Sequence, residues 1–221
     1  MIGCLFALQK KLLLYRDNQR EHRWHSEGHV RVIEGSSVLV IGCGDIGSCF
    51  GRKMYALGCR VTGIRRRVPQ KKDWPDWADG IFGMDQLERL LPEADIVALS
   101  LPGGADTRHT LSRERIGLLR RSAVVLNVGR GSAVDTEALA DALFEGRIAG
   151  AALDVTDPEP LPAGHRLWDA PNTLITPHVS GGFSLPETLE QIVELFARNL
   201  ERYLAGEPLQ NLVDIKTGYR A

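Results

Sequence analysis

The sequence is poor in cysteine, and its few cysteines are badly spaced to work together. Cys4, Cys43, Cys49 and Cys59 form no CxxC pair, and three of them crowd into one strand–helix–strand stretch. That excludes the disulfide framework of a small secreted domain, and free thiols in a reducing, cytoplasmic setting are expected. Long apolar runs are missing as well, so no membrane partner is expected. The opening IGCLFAL is apolar but short. Nothing basic precedes it, Lys10 and Lys11 follow, and no small-residue cleavage site appears, which argues against a signal peptide. Charge of one sign is not in excess: 27 Lys and Arg stand against 28 Asp and Glu. Nucleic acid is therefore not expected as a partner. His22, His25 and His29 have no cysteine or carboxylate cluster to complete a ligand set. They read as solvated surface residues, and no metal is expected.

What is present is an ordinary globular composition, 43 % hydrophobic and 25 % charged, long enough to bury a sizeable core. MIGCLFALQKKLLLYRDNQR reads as one amphipathic helix with Ile2, Leu5, Leu8 or Gln9, Leu12 and Leu13 on its stripe. The polar stretch after it reads as a linker or helix end. From residue 37 the pattern changes to short Val, Ile, Leu and Ala runs: SSVLVIG, CRVTGI, DGIFG, DIVALSLP, AVVLNVG, AGAALDV and NTLITPHV. Helical patterns are read as alternating strictly with them, among them MDQLERLLPEA, SRERIGLL and VDTEALADALFEG, the last with Asp135 as N-cap and Gly146 as stop. This alternation predicts a parallel sheet covered on both faces. A long helix over about 185–205 closes the chain, with Ser184 and Glu187 as a capping box and an apolar stripe from Leu185 to Leu204. The predicted fold is α/β: a Rossmann-type doubly wound parallel sheet with an N-terminal helical arm and a long C-terminal helix. The arm and linker take residues 1–30, the Rossmann domain 31–182, and the helix and tail 183–221.

VLVIGCGDIG contains GxGxxG as Gly42, Gly44 and Gly47. The motif follows a strand, opens a helix and returns to a second strand about 20 residues on. Gly42 permits the tight turn, Gly44 lets backbone approach a pyrophosphate, and Gly47 lets helix pack closely on strand. An NAD site usually ends the second strand in Asp or Glu, which binds the ribose 2′-hydroxyl. Here VTGI runs into Arg65, Arg66 and Arg67. A carboxylate would repel a 2′-phosphate, and a guanidinium fork binds one bidentately. NADP(H) is therefore favoured over NAD(H).

Three later strand ends carry polar residues in apolar surroundings: NVGRG with Asn127 and Arg130, ALDVTDPEP with Asp154 and Glu159, and ITPHVSGG with His178. Ligands of open parallel sheets bind beyond the carboxyl ends of the strands. The set suits carbonyl reduction. His178 would deliver the proton, a nearby Glu159 would favour its charged form, and Arg130 would hold a substrate carboxylate.

VLVIGCGDIG, LNVGRGSAVDTEAL, ALDVTDPEPLP and ITPHVSGG together resemble the D-isomer-specific 2-hydroxyacid dehydrogenase family, over nearly the whole chain. The resemblance implies that Arg130, Glu159 and His178 are the catalytic residues, and that Asn127 and Asp154 lie at the nicotinamide. It extends the cofactor-binding set to Asp45, Ile46, Ser100, Leu101, Pro102, Thr107, Val128, Gly129 and Gly181, besides His178. It implies a small 2-oxo or 2-hydroxy acid as substrate, of the glyoxylate or hydroxypyruvate kind, and a homodimer formed through the nucleotide-binding domain. There are departures. Thr156 stands where an aromatic residue is common, and Arg65 replaces the usual acid. Family members also carry an N-terminal lobe that closes over the cofactor, and the opening helix resembles the connection to it. The expectation is an enzyme whose substrate lobe lies outside this chain. The alternative is a truncated dinucleotide-binding or dimerisation module with little turnover. No YxxxK occurs to support a short-chain dehydrogenase, and a methyltransferase has no use for the Arg–Glu–His set.

Overall fold

The computed structural model describes residues 1–181, 185–215 and 219–220. It divides into two compact units, Met1–His178 and Val179–Ala221.

The first unit opens with a difference from the sequence reading. The first twenty residues form two helices, α1 (Ile2–Gln9) and α2 (Leu12–Arg20), broken at Lys11 with φ 55°. Tertiary packing overrides local propensity here. Leu5 and Leu8 are fully buried in the core beside Ile33, Val40 and Val61, which fixes the direction of α1. Lys11 and Asn18 then both bind Glu27, the first at its carbonyl and the second at its carboxylate, so the following loop folds back on α2. Leu12, expected on the stripe, is 51 % exposed.

Seven strands follow: β1 (Ser37–Ile41), β2 (Arg60–Ile64), β3 (Gly80–Phe82), β4 (Ile96–Leu99), β5 (Val124–Asn127), β6 (Gly150–Leu153) and β7 (Thr173–Ile175). They form one parallel sheet in the order β3-β2-β1-β4-β5-β6-β7. All four residues of β4, β5 and β6 are buried, as a sheet covered on both faces requires. The connecting helices are α3 (Asp45–Ala56), α4 (Leu87–Leu90), α5 (Arg113–Gly117) and α6 (Thr136–Phe144). Asp135 caps α6 by accepting from the Ala138 N–H at 2.9 Å, and Gly146 follows it at φ 61°, both as expected. MDQLERLLPEA is less helical than predicted. Only α4 is α-helical, between 3₁₀ turns at Met84–Gln86 and Leu91–Glu93. Pro92 has no N–H to donate, so the α-helix cannot run on through it.

At the amino edge of the sheet one carboxylate ties three strands together. Asp95, just before β4, accepts from the Ser37 N–H of β1 at 3.0 Å and from Arg120 at 3.0 Å, with Ser122, ahead of β5, at 3.4 Å. Partial burial pulls its pKa up, but these donors and the Arg120 charge outweigh burial and hold the carboxyl below the usual carboxylate range. Asp95→Asn is expected to cost about 1–3 kcal/mol at pH 7, measured by urea unfolding. A depressed pKa contributes stability that is present above the unfolded-state value, near 3.9, and is lost as pH falls through the folded one. The gap between wild type and variant should therefore close in acid. A gap unchanged at pH 2.5 would remove the ionic part of this account.

The second unit contains α7 (Pro186–Leu204) and a short antiparallel pair, β8 (Val213–Asp214) with β9 (Tyr219–Arg220). The N-cap of α7 is Leu185, which offers no side-chain cap. Ser184 of the expected capping box lies outside the described residues. The apolar stripe is open to solvent, with Ile192 50 %, Phe196 69 % and Leu204 77 % exposed. Among the described residues no helix is long and apolar enough to cross a membrane.

Candidate active site

The order of the strands reverses direction between β1 and β4, and this switch point is where ligands of doubly wound sheets sit. A row of backbone hydrogen bonds runs along the carboxyl edge there. Arg65 donates to Phe82, Gly42 to Ile64, Ser100 to Ile41, Val128 to Leu99, Asp154 to Asn127, and His178 to Asp154, all at 2.8–3.1 Å. Each expected motif therefore emerges from the sheet beside the next.

The glycine turn is built by steric need. Gly42 has φ +97°, and a Cβ there would sit 2.9 Å from the Ser100 carbonyl oxygen. A Cβ on Gly47 would sit 2.0 Å from the Gly42 carbonyl oxygen, so only glycine lets α3 start this close to β1. Ser100 fastens the same carbonyl with its hydroxyl at 2.6 Å. Gly44, the N-cap of α3, has open space where its Cβ would be. The first-turn N–H groups of α3, from Asp45, Ile46 and Gly47, have no acceptor within the helix. Open space before the positive end of a twelve-residue helix fits a dinucleotide pyrophosphate. Cys43 turns away from this space into the core. Burial pushes its thiol up to about 11, against the pull of the Arg65 charge, and keeps it protonated. At the end of β2 the side chains of Arg65, Arg66 and Arg67 are exposed.

The later strand ends are equally ordered. Asn127 is buried and staples the turn after β5: its amide donates to the Arg130 carbonyl, and its oxygen accepts from the Gly129 N–H, both at 3.0 Å. Gly129 passes Leu101 so closely that a Cβ would lie 2.5 Å from the Leu101 carbonyl oxygen. Thr107 ties the loop after β4 by donating to the Pro102 carbonyl at 2.8 Å. Arg130 donates one N–H to the Gly129 carbonyl at 2.8 Å. Asp154 is 4 % exposed and accepts from the Thr176 hydroxyl at 2.5 Å.

His178 and Glu159 meet. Nδ1 of His178 lies 2.6 Å from Oε1 of Glu159, and the second Glu159 oxygen accepts from the Thr156 N–H at 3.4 Å. A carboxylate can only accept, so Nδ1 carries the proton and Nε2 is left as the ring's other nitrogen. His178 has φ 54°, an unusual backbone for a non-glycine residue, fixed by its own N–H to the Asp154 carbonyl. Gly181 belongs to the second unit. Sequence reasoning passed over Gly131, whose Cβ would lie 1.9 Å from the Thr156 carbonyl. That contact brings the loop after β6 up to Arg130. The signal was the second glycine in Gly-Arg-Gly. Among the described residues no group of His, Cys, Asp and Glu could hold a metal ion.

The family model for the NAD binding domain of D-isomer specific 2-hydroxyacid dehydrogenases matches residues 2–180. A glycerate dehydrogenase from Methylorubrum extorquens is 31 % identical over 97 % of this chain and 66 % of its own length. A glyoxylate reductase from Thermofilum pendens is 34 % identical over 96 % of this chain and 63 % of its own. The chain thus spans less than two thirds of either relative. The crystal structure of a D-isomer specific 2-hydroxyacid dehydrogenase from Xanthobacter autotrophicus, in complex with NADPH and MES, superposes with a TM-score of 0.84 at 35 % identity. It covers 99 % of this chain and 86 % of the other. With the glycine turn, the parallel sheet and the His–Glu pair in place, the chain belongs to the D-isomer specific 2-hydroxyacid dehydrogenase family, as its NAD-binding domain.

Proposed function

We propose that the chain is the catalytic half of an NADP(H)-dependent reductase of small 2-oxo acids of the glyoxylate or hydroxypyruvate kind. The observation that carries this reading is the His178–Glu159 contact of 2.6 Å on the same sheet edge as the Gly42–Gly47 turn. The bound dinucleotide supplies the hydride that reduces the carbonyl carbon. The protein does the rest. The Gly44 N-cap and the first turn of α3 hold the pyrophosphate through backbone N–H groups. Asn127 and Asp154 lie at the nicotinamide, Asn127 by shaping the turn after β5. Arg130 pairs with the substrate carboxylate and draws charge toward the carbonyl oxygen. His178 donates a proton from Nε2 to that oxygen, while Glu159 fixes the ring by accepting from Nδ1. In the oxidation direction His178 takes the proton back.

Arg65, Arg66 and Arg67 are assigned to the 2′-phosphate. This is tested by replacing all three with Ala and titrating both nucleotides by fluorescence. NADPH affinity is expected to fall about 10–100-fold, and NADH affinity to stay within a few-fold. A wild-type preference for NADH overturns the assignment. Homodimerisation belongs to the same reading. Trp24 is fully exposed in the segment after α2, a large apolar surface of the kind a second copy covers. A second reading is a truncated dinucleotide-binding or dimerisation module with little or no turnover. Glyoxylate-dependent NADPH oxidation by the 221-residue chain separates the two.

A further inference from the structure

The 2′-phosphate turn sits at the head of an unusually charged loop. Residues 65–72 read RRRVPQKK, five cations in eight positions. Neighbouring like charges repel, and a loop of this kind left to itself would splay. Something must fasten it. Its start is pinned where Arg65 donates its N–H to the Phe82 carbonyl at 3.0 Å. Its far end is pinned by Trp74. The indole N–H donates back to the Pro69 carbonyl at 3.3 Å, and the indole ring leans on the Phe82 ring at 6.1 Å between centroids. Phe82 is thus gripped at both ends of the loop, by its carbonyl and by its ring. Arg89 also reaches it, with its guanidinium 5.3 Å from the centroid of the same ring. The chain beyond Trp74 is equally fixed. Trp77 is 8 % exposed, against α3 at Gly51, where a Cβ would lie 2.6 Å from the indole.

We propose that Trp74 is a positioning residue for nucleotide choice: by closing the 65–74 loop on Phe82 it holds the arginine turn in the shape that receives a 2′-phosphate. The inference rests on the NADP(H) reading and deepens it. A turn whose backbone is held in place before binding loses less freedom when the phosphate arrives, and that advantage is absent for a 2′-hydroxyl. The closure therefore acts on one nucleotide and not on the other.

The test uses Trp74→Phe, which keeps a ring against Phe82 and removes the N–H, and Trp74→Leu, which removes both. Titrations of the 221-residue chain with NADPH and NADH are read beside those with adenosine 2′,5′-bisphosphate and ADP. Trp74→Phe is expected to weaken NADPH and the bisphosphate about 3–10-fold, and Trp74→Leu more, with NADH and ADP within about twofold. A purely structural tryptophan would lower the melting temperature and all four affinities alike, or none of them. Either outcome overturns the proposal. If the arginine variants abolish the NADPH preference and both Trp74 variants keep it, the 2′-phosphate assignment stands and the Trp74 role falls. If the wild type prefers NADH, both fall.

Discussion

Gly44→Ala and Gly47→Ala, three residues apart, are expected to fail in different ways. At Gly47 the new Cβ would lie 2.0 Å from the Gly42 carbonyl oxygen and 2.6 Å from the Ser100 hydroxyl. The first neighbour is backbone and cannot swing aside, so α3 must lift off β1. The gain in helix propensity from Gly to Ala, near 1 kcal/mol, is smaller than a forced backbone shift, which costs about 1–3 kcal/mol or more. Gly47→Ala should unfold at lower urea and lose NADPH binding by about 100-fold or more, because the turn itself is displaced. At Gly44 the backbone has φ −80° and the Cβ position is open. Gly44→Ala should therefore keep the wild-type unfolding curve and still bind NADPH about tenfold or more weakly, since its methyl group fills space meant for the pyrophosphate. Wild-type NADPH affinity in Gly44→Ala would place the pyrophosphate elsewhere. A wild-type unfolding curve for Gly47→Ala would mean that α3 is free to move.

His178→Gln should reduce glyoxylate-dependent NADPH oxidation by about 10²–10⁴-fold, the usual worth of a positioned acid. NADPH binding should fall far less than turnover, because the contacts of the glycine turn do not involve this side chain. Glu159→Gln should cost less. Glutamine's side-chain oxygen still accepts from Nδ1, so the ring keeps its orientation. The order of the two variants is the informative part. Glu159→Gln falling as far as His178→Gln would make the carboxylate a direct participant. Equal rates in His178→Gln and wild type would remove His178 from the chemistry. On the module reading neither variant matters, because the parent chain does not turn over.

The glycine turn and the parallel sheet were legible because they follow from local sterics and from a two-faced apolar pattern. The Asp135 cap and the Gly146 stop were legible for the same reason. The break at Lys11 was not. QKKLLLY is good helix sequence, and only the burial of Leu5 and Leu8, with the grip of Lys11 and Asn18 on Glu27, shows that the chain must turn. The His178–Glu159 contact was anticipated from residue types, but nineteen residues separate them and no periodicity could have measured the gap. The tight passages at Gly129 and Gly131 were hidden for a related reason. A glycine in a loop says that something comes close, and only the folded chain says what. Trp74 was visible only as a loop aromatic; its partner Phe82 lies on a strand with no sequence signal linking the two.

β7 is three residues long, only partly buried, and lies at the rim of the sheet with one neighbour, whereas β1 sits in the interior between two. Rim strands fray first, and interior ones open only when the whole domain melts. His178 hangs from the rim and the glycine turn from the interior. The His178 turn and the glycine turn are thus moored with unequal strength, and warming should set the first adrift while the second still holds. Amide exchange at Leu174 and Ile175 would time that loss, well ahead of exchange at Leu39 and Val40.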